Sequence, residues 1–196
     1  MSKHAEDIAR DRHVEYLIKT LQDPEATARV QAAKLLGELK DSRGVDGLSA
    51  ALFDGDAGVR RAAAQALEKI GPPASEALLT ALNNPDQDVR HAAAKALGQT
   101  GEQRMIPSLI AALRDPQESV RSQAAFALNK MGARAVEPLI AALTSPDANT
   151  RLHAARILGS VGDLRALSEL QRLARDDSDN KVQEAAKLAA EKVRGK

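Results

Sequence analysis

The chain has 196 residues, with 28 Lys+Arg against 27 Asp+Glu, no Cys, no Trp, and 38 alanines against three aromatic residues, Tyr16, Phe53 and Phe126. Its 43% hydrophobic content is enough to bury a core, which excludes global disorder, and a formal charge of +1 removes the strong electrostatic case for nucleic acid or an anionic membrane. The missing cysteines exclude disulfides, thiolate metal sites and a cysteine nucleophile.

The start, Met1-Ser2-Lys3-His4-Ala5-Glu6-Asp7, has no apolar stretch of the kind a signal peptide needs, and no run of about 18 apolar residues follows. A soluble, cytoplasmic protein is expected, with no membrane partner. After a polar lead-in over residues 1–11, two kinds of segment alternate along the chain. The first kind covers 14–21, 45–52, 75–82, 106–113, 136–143 and 167–174. Its apolar residues fall at helical spacing, as in Val136, Leu139, Ile140 and Leu143.

The second kind aligns without gaps over 28–36, 59–67, 89–97, 120–128, 150–158 and 181–189. Arginines stand at 29, 60, 90, 121 and 151, and Val182 takes the sixth place in this alignment, so the spacing alternates between 31 and 30. Between the two kinds lies a turn: Asp23-Pro24, Asp54-Gly55, Asn84-Pro85, Asp115-Pro116 and Ser145-Pro146. Such pairs suit a type I turn that ends one helix, and the acidic residues after them suit the start of the next. Gly71, Gly101, Gly132 and Gly162 mark the ends of the second helices, where a left-handed residue is wanted. Pro107 and Pro138 suit the first turn of the first helix.

The pattern predicts about six helical hairpins, near 12–41, 42–72, 73–102, 103–133, 134–163 and 164–196. A hairpin of about 30 residues cannot bury its apolar face alone, so neighbours must stack into one array over 1–196. The abundant alanines have a cause in that stacking, since small side chains let helices approach closely.

The run Asp-Pro-x-x-x-Val-Arg-x-x-Ala-Ala-x-Ala-Leu-Gly, preceded by a helix such as Ala135-Val136-Glu137-Pro138-Leu139-Ile140, resembles the short HEAT repeats of phycobilin lyase subunits and of many bacterial and archaeal proteins. The resemblance implies an all-α fold, a right-handed HEAT-type α-α superhelix or α-solenoid. It also implies a ladder between repeats, with turn residues Asp23, Asp54 and Asp115 bonded to Arg29, Arg60, Arg90, Arg121 and Arg151. Asn84, Ser145 and Val182 depart from the pattern, so gaps are expected at the third, fifth and sixth repeats. Artificial consensus arrays are also similar, although the drift between copies favours a natural sequence.

HEAT arrays that act as enzymes supply a test. Deoxyhypusine hydroxylase binds two irons through His-Glu pairs, but no Glu follows His4, His13, His91 or His153. His91 and His153 lie two repeats apart, about 20 Å at the spacing of packed helices, too far for one metal with bonds of about 2 Å. DNA glycosylases built on such repeats need a basic face and stacking aromatics, which this composition lacks. No phosphate loop or nucleophile elbow occurs. The chain is therefore expected to be non-enzymatic, with no catalytic residue, metal, cofactor or small-molecule substrate, and to bind another protein.

Second helices usually line the concave face of a solenoid. At 100° per residue, positions 59, 63, 66, 67 and 70 face the core and 61, 65 and 68 face outward, with 62 and 69 at the edge. The central outward row then reads Lys34, Gln65, Lys95, Phe126, Arg156 and Lys187, four cations and no acid. One turn earlier the row is Val30, Arg61, His91, Ser122, Leu152 and Gln183. Phe126 replaces a polar residue at an outward position, and exposed aromatics among cations are typical interface anchors. The candidate partner-binding residues are Arg61, His91, Lys95, Gln123, Phe126, Leu152, His153 and Arg156, forming a groove for an acidic segment or helix of another protein. The alternatives are a phycobilin lyase subunit or phycobilisome-associated protein, a designed HEAT-like binder, and a weak nucleic-acid binder.

Overall fold

The computed structural model describes residues 3–195 and places side chains from Ile8 onward. Met1, Ser2 and Lys196, at the two ends of the expected array, lie outside the described residues. The chain divides into two compact units, Met1–Thr100 and Gly101–Lys196.

The first unit stacks three hairpins: α1 (Lys3–Thr20) with α2 (Ala26–Leu39), α3 (Val45–Ala51) with α4 (Ala57–Ile70), and α5 (Ser75–Ala81) with α6 (Gln87–Thr100). Helix α1 begins well before residue 12, so the polar lead-in is helical from Lys3 on. With neither Gly nor Pro between Lys3 and Thr20, nothing interrupts it. The later first helices are shorter, each preceded by a single 3-10 turn such as Ser42–Gly44 or Pro72–Ala74. The second unit repeats the plan with α7 (Ile106–Ala111) and α8 (Glu118–Met131), α9 (Val136–Ala142) and α10 (Ala148–Val161), and α11 (Leu167–Asp176) and α12 (Asn180–Arg194). All the described regular structure is helical, so the chain is an all-α repeat solenoid.

Both cores are aliphatic. Leu36, Leu48, Leu67 and Leu97 are fully buried in the first unit, and Leu109, Leu128, Leu139 and Leu158 in the second. Alanine and glycine set the helix spacing. A Cβ built on Gly37 of α2 would stand 2.7 Å from the Cα of Ala66 in α4, and one on Gly159 of α10 would stand 2.7 Å from the Cα of Ala189 in α12. Only hydrogen fits there. The expected left-handed helix end is found at Gly162, with φ 74° and ψ 29°, whereas Gly71 and Gly132 have φ of 78° and 58° with ψ of −136° and −129°, a different region open essentially to glycine alone.

The turns carry the repeat contacts. At each turn the side chain of the first residue accepts from the backbone N–H two residues on: Asp23 from Glu25 at 2.9 Å, Asp54 from Asp56 at 2.8 Å, Asn84 from Asp86 at 2.9 Å, Asp115 from Gln117 at 2.9 Å, Ser145 from Asp147 at 3.2 Å and Asp177 from Asp179 at 2.9 Å. Each second-helix arginine then reaches back over its own turn. Arg29 Nη1 donates to the carbonyls of Asp23 and Pro24 at 2.8 and 3.0 Å, and Arg60, Arg90, Arg121 and Arg151 do the same to theirs. The other edge of the guanidinium takes a carboxylate from the next turn. Arg29 binds Asp54 through two bonds of 2.8 Å, and Arg151 binds Asp177 at 2.7 and 2.8 Å.

Two ladder expectations are corrected. The third repeat has no gap, because Arg60 meets Asp86, two residues beyond Asn84, with Nε at 2.8 Å. Asn84 is itself buried, and its amide donates to the Leu52 carbonyl at 2.8 Å. In the sixth repeat the alignment slips by one residue. Gln183, not Val182, lies six residues after its turn residue and donates to the Asp177 carbonyl at 2.8 Å, while Val182 is buried like Val59, Val89 and Val120. At the fifth turn, where Ser145 replaces Asp, no carboxylate among the described residues pairs with Arg121.

The Arg151–Asp177 pair is nearly sealed, with side-chain exposures of 11% and 3%. Ionised Asp177 is favoured by the Arg151 hydrogen bond, which outweighs burial and holds its pKa below the ordinary range. A carboxylate with a depressed folded pKa stabilises the fold above its unfolded value of about 3.9 and loses that contribution as pH falls through the folded value.

Asp177→Ala is expected to cost about 3 kcal/mol in urea unfolding at neutral pH, and the gap to wild type should shrink as pH drops below about 4. Asp11→Ala, which removes the exposed Arg43–Asp11 pair, should cost under about 1 kcal/mol. Gly159→Ala should cost about 1–3 kcal/mol by overpacking. Gly55→Ala, where a Cβ meets nothing within 4 Å, should be close to neutral.

Candidate functional site

The second helices position the candidate residues, and the periodicity that buries one face presents the other. In α4, Val59, Ala63, Ala66, Leu67 and Ile70 are buried while Arg61 and Gln65 are exposed. Ala62, placed at the edge of the outward face, is buried instead, at 3% exposure. The helix is enclosed over a wider arc than one amphipathic stripe, because neighbours cover it on both sides.

The eight candidate residues fall on both units. Arg61, His91 and Lys95 belong to the first, where they line a shallow cavity of about 270 Å³ together with Gln65, Glu68 and Asp88. The cations there are already matched. Lys95 Nζ lies 2.9 Å from Glu68 and Arg61 lies 3.7 Å from Asp88. Gln99 also donates to Glu68 at 3.0 Å. The expected basic floor is therefore neutralised at this point by acids of the neighbouring second helix, which lie outside the central row.

Gln123, Phe126, Leu152, His153 and Arg156 belong to the second unit. Phe126 stands 67% exposed on α8. Leu152, His153 and Gln123 are partly covered and Arg156 is exposed. Burial pushes the His153 imidazole pKa below its ordinary value, and the charges of Arg156 and Arg121 push it further, against Asp147 and Glu118. A neutral imidazole at pH 7 follows.

Arg156 opens onto a cavity of about 470 Å³ floored by Ala185, Leu188 and Ala189 of α12, with Lys181, Glu184 and Lys192 around it. Leu188 escaped the sequence reading through the one-residue slip. Counted from Gln183, the central outward position of the sixth repeat is Leu188, exposed at 51%, rather than Lys187. Aligning Val182 with Val59, Val89 and Val120 would have found it.

Two further aromatics were not singled out. Tyr16 on α1 is 65% exposed and Phe53 at the second turn is 57% exposed, so none of the chain's three aromatic residues contributes to a core. Among the described residues no group of three or more His, Asp or Glu is placed to hold a metal, and no helix is long and apolar enough to cross a membrane.

The HEAT-repeat family model matches residues 14–81, 72–129 and 106–191, which covers most of the chain. The chain belongs to the HEAT-repeat family. Among solved structures it is similar to an engineered protein, at 25% identity and a TM-score of 0.54 over 93% of this chain and 96% of that one. A designed armadillo repeat protein in complex with the peptide (KR)4 is similar at 17% identity and a TM-score of 0.50, over 92% and 99%. The complex of CpcE and CpcF of phycocyanin lyase from Nostoc sp. PCC7120 is matched at 26% identity and a TM-score of 0.48, over 93% and 92%. No curated protein matches the chain.

The His153 environment gives a direct check. Its proton NMR titration midpoint should fall below about 6.5, and Arg156→Gln should move it part of the way back. A midpoint at or above the ordinary value would contradict the placement of His153 beside the two arginines.

Proposed function

We propose that this chain is a non-catalytic scaffold that binds another protein along the outward face of its second helices, taking an acidic segment or helix. The observation that carries the reading is Phe126. A phenylalanine at 67% exposure in the middle of a helix forgoes most of the roughly 1.5–3 kcal/mol that its burial could supply, while the core beneath it is closed with alanine and leucine. An aromatic side chain presented in this way suits an anchor that becomes buried only when a partner arrives. Leu152 and Arg156 lie on the next second helix, α10, and add an apolar neighbour and a cation. The fold supports the reading from another side, because stacked repeats offer an extended surface built from corresponding positions.

The test is affinity capture from a lysate of the organism that encodes the chain, comparing wild type with the Phe126→Asp, Arg156→Glu double variant and recording nucleic-acid and pigment absorbance. Partners held by wild type and lost by the variant are expected. With a purified partner, Phe126→Ala should weaken binding by about 2 kcal/mol, and Lys95→Ala, already paired with Glu68, by well under 1 kcal/mol. Equal recovery on both baits would place binding away from this face. Recovery of a pigment would favour lyase work instead.

A further inference from the structure

The α10–α12 cavity differs in kind from the face of the first unit. Along α12, Lys181, Ala185, Leu188, Ala189 and Lys192 share one side of the helix, at steps of four, three, one and three residues. Arg156 of α10 completes the lining. The order along the stripe is cation, apolar floor, cation, spanning about 16 Å at 1.5 Å per residue.

Lys181, Lys192 and Arg156 make no ion pair among the described residues, whereas Arg61 and Lys95 in the first unit each have an acid. Glu184 is the one acid lining the cavity, so three positive charges face one negative charge. Leu188 stands 51% exposed at the centre, where the repeat pattern places Lys34, Gln65, Lys95 or Arg156 in four other repeats and an apolar residue only at Phe126. The surface thus offers unmatched positive charge at both ends and an uncovered leucine over alanines in the middle.

We propose that this cavity is a docking site for an acidic peptide segment that presents one apolar side chain to Leu188, Ala185 and Ala189, with carboxylates on either side reaching Lys181, Arg156 and Lys192. The proposal rests on the scaffold reading and deepens it, adding the α12 residues to Arg156 and giving the acidic segment one apolar side chain. Charge complementarity selects the occupant. Nucleic acid fits less well, because the cavity has no aromatic ring for stacking and holds a carboxylate. A second copy of this chain fits less well too, since its corresponding surface carries the same sign of charge. If the segment is helical, its flanking acids sit about three turns apart; if extended, about five residues apart at 3.3 Å each.

The experiment uses the full chain and a fluorescein-labelled peptide of glutamate and alanine, about four helical turns long, with a single central leucine, read by fluorescence anisotropy. Saturable binding is expected, weakened about tenfold or more by Leu188→Asp and by the Lys181→Glu, Lys192→Glu pair. Replacing the peptide's leucine with serine should have a comparable effect. Circular dichroism of each variant separates loss of the site from loss of the fold, and Leu188→Ser serves if Leu188→Asp fails to fold.

Binding that is absent, that ignores the leucine, or that survives both sets of substitutions overturns the proposal. So does displacement of the peptide by a single-stranded oligonucleotide at lower concentration. Lysate capture with Leu188→Asp separates the two readings: a natural partner kept by Leu188→Asp but lost by Phe126→Asp leaves the scaffold standing and removes this site. A partner lost on Leu188→Asp is followed up with its own acidic segment as a peptide, which should bind wild type and not Leu188→Asp; equal binding to both overturns the site.

Discussion

The guanidinium of the second-helix arginine sets the geometry on which each unit depends. One edge of its planar fork closes the turn it follows, through the backbone carbonyls of the first two turn residues. In Arg29, Arg60 and Arg151 the opposite edge grips a carboxylate of the next turn. A lysine could supply the charge but not two directed sets of bonds at once. Because the same side chain fastens a turn to itself and to its neighbour, hairpins are fixed at one separation. That separation is what lets Gly37 meet Ala66 and Gly159 meet Ala189 with no room for a Cβ. Cohesion is then local, a sum over adjacent hairpins, and no residue distant in the stack needs to be in place for two neighbours to pack.

This division of labour frees the outward face of the second helices. The turns hold the repeats together and alanines with leucines fill the seams, so residues such as Phe126, Arg156 and Leu188 have no structural task that constrains their chemistry. The two units use that freedom differently. The first pairs Arg61 and Lys95 with Asp88 and Glu68; the second leaves Arg156, Lys181 and Lys192 without an ion pair among the described residues, beside exposed Leu188. Side chains that contribute nothing to the fold and sit poorly in water are where a binding function is most economically sought.

How much of this was legible in the sequence depended on what each signal measured. Helix pairs, turns and glycine stops could be read because their chemistry is local, and the buried set Val59, Ala63, Ala66, Leu67 and Ile70 follows from the 3.6-residue period alone. The arginine's hold on its own turn is equally local, six residues back. Its hold on the next turn is not, and the Asp86 substitution for position 84 could not be seen because two residues of offset in a turn are a matter of reach in space rather than of alignment. The burial of Ala62 escaped for a related reason: a helical wheel knows one partner surface, whereas a helix in a stack has three. Tyr16, near the end of α1, and Phe53, at a turn, were passed over because outward positions were assigned on the second helices alone.

The misplaced register at Val182 shows why a near-zero net charge was a poor guide to the surface. A slip of one residue exchanged Leu188 for Lys187 and made the sixth repeat look like one more cation in a polar row. The charge sum hides a similar exchange. Arg29, Arg60 and Arg151 and their partners Asp54, Asp86 and Asp177 sit in part-buried pairs that cancel within the fold and present little field to solvent. Removing such matched pairs from the count leaves the total near zero but changes where the remainder lies. That remainder is what solvent meets, and on the second unit it includes Arg156, Lys181 and Lys192 around Leu188. For a repeat protein whose internal ladder is made of opposite charges, the electrostatic reading therefore has to follow assignment of the ladder.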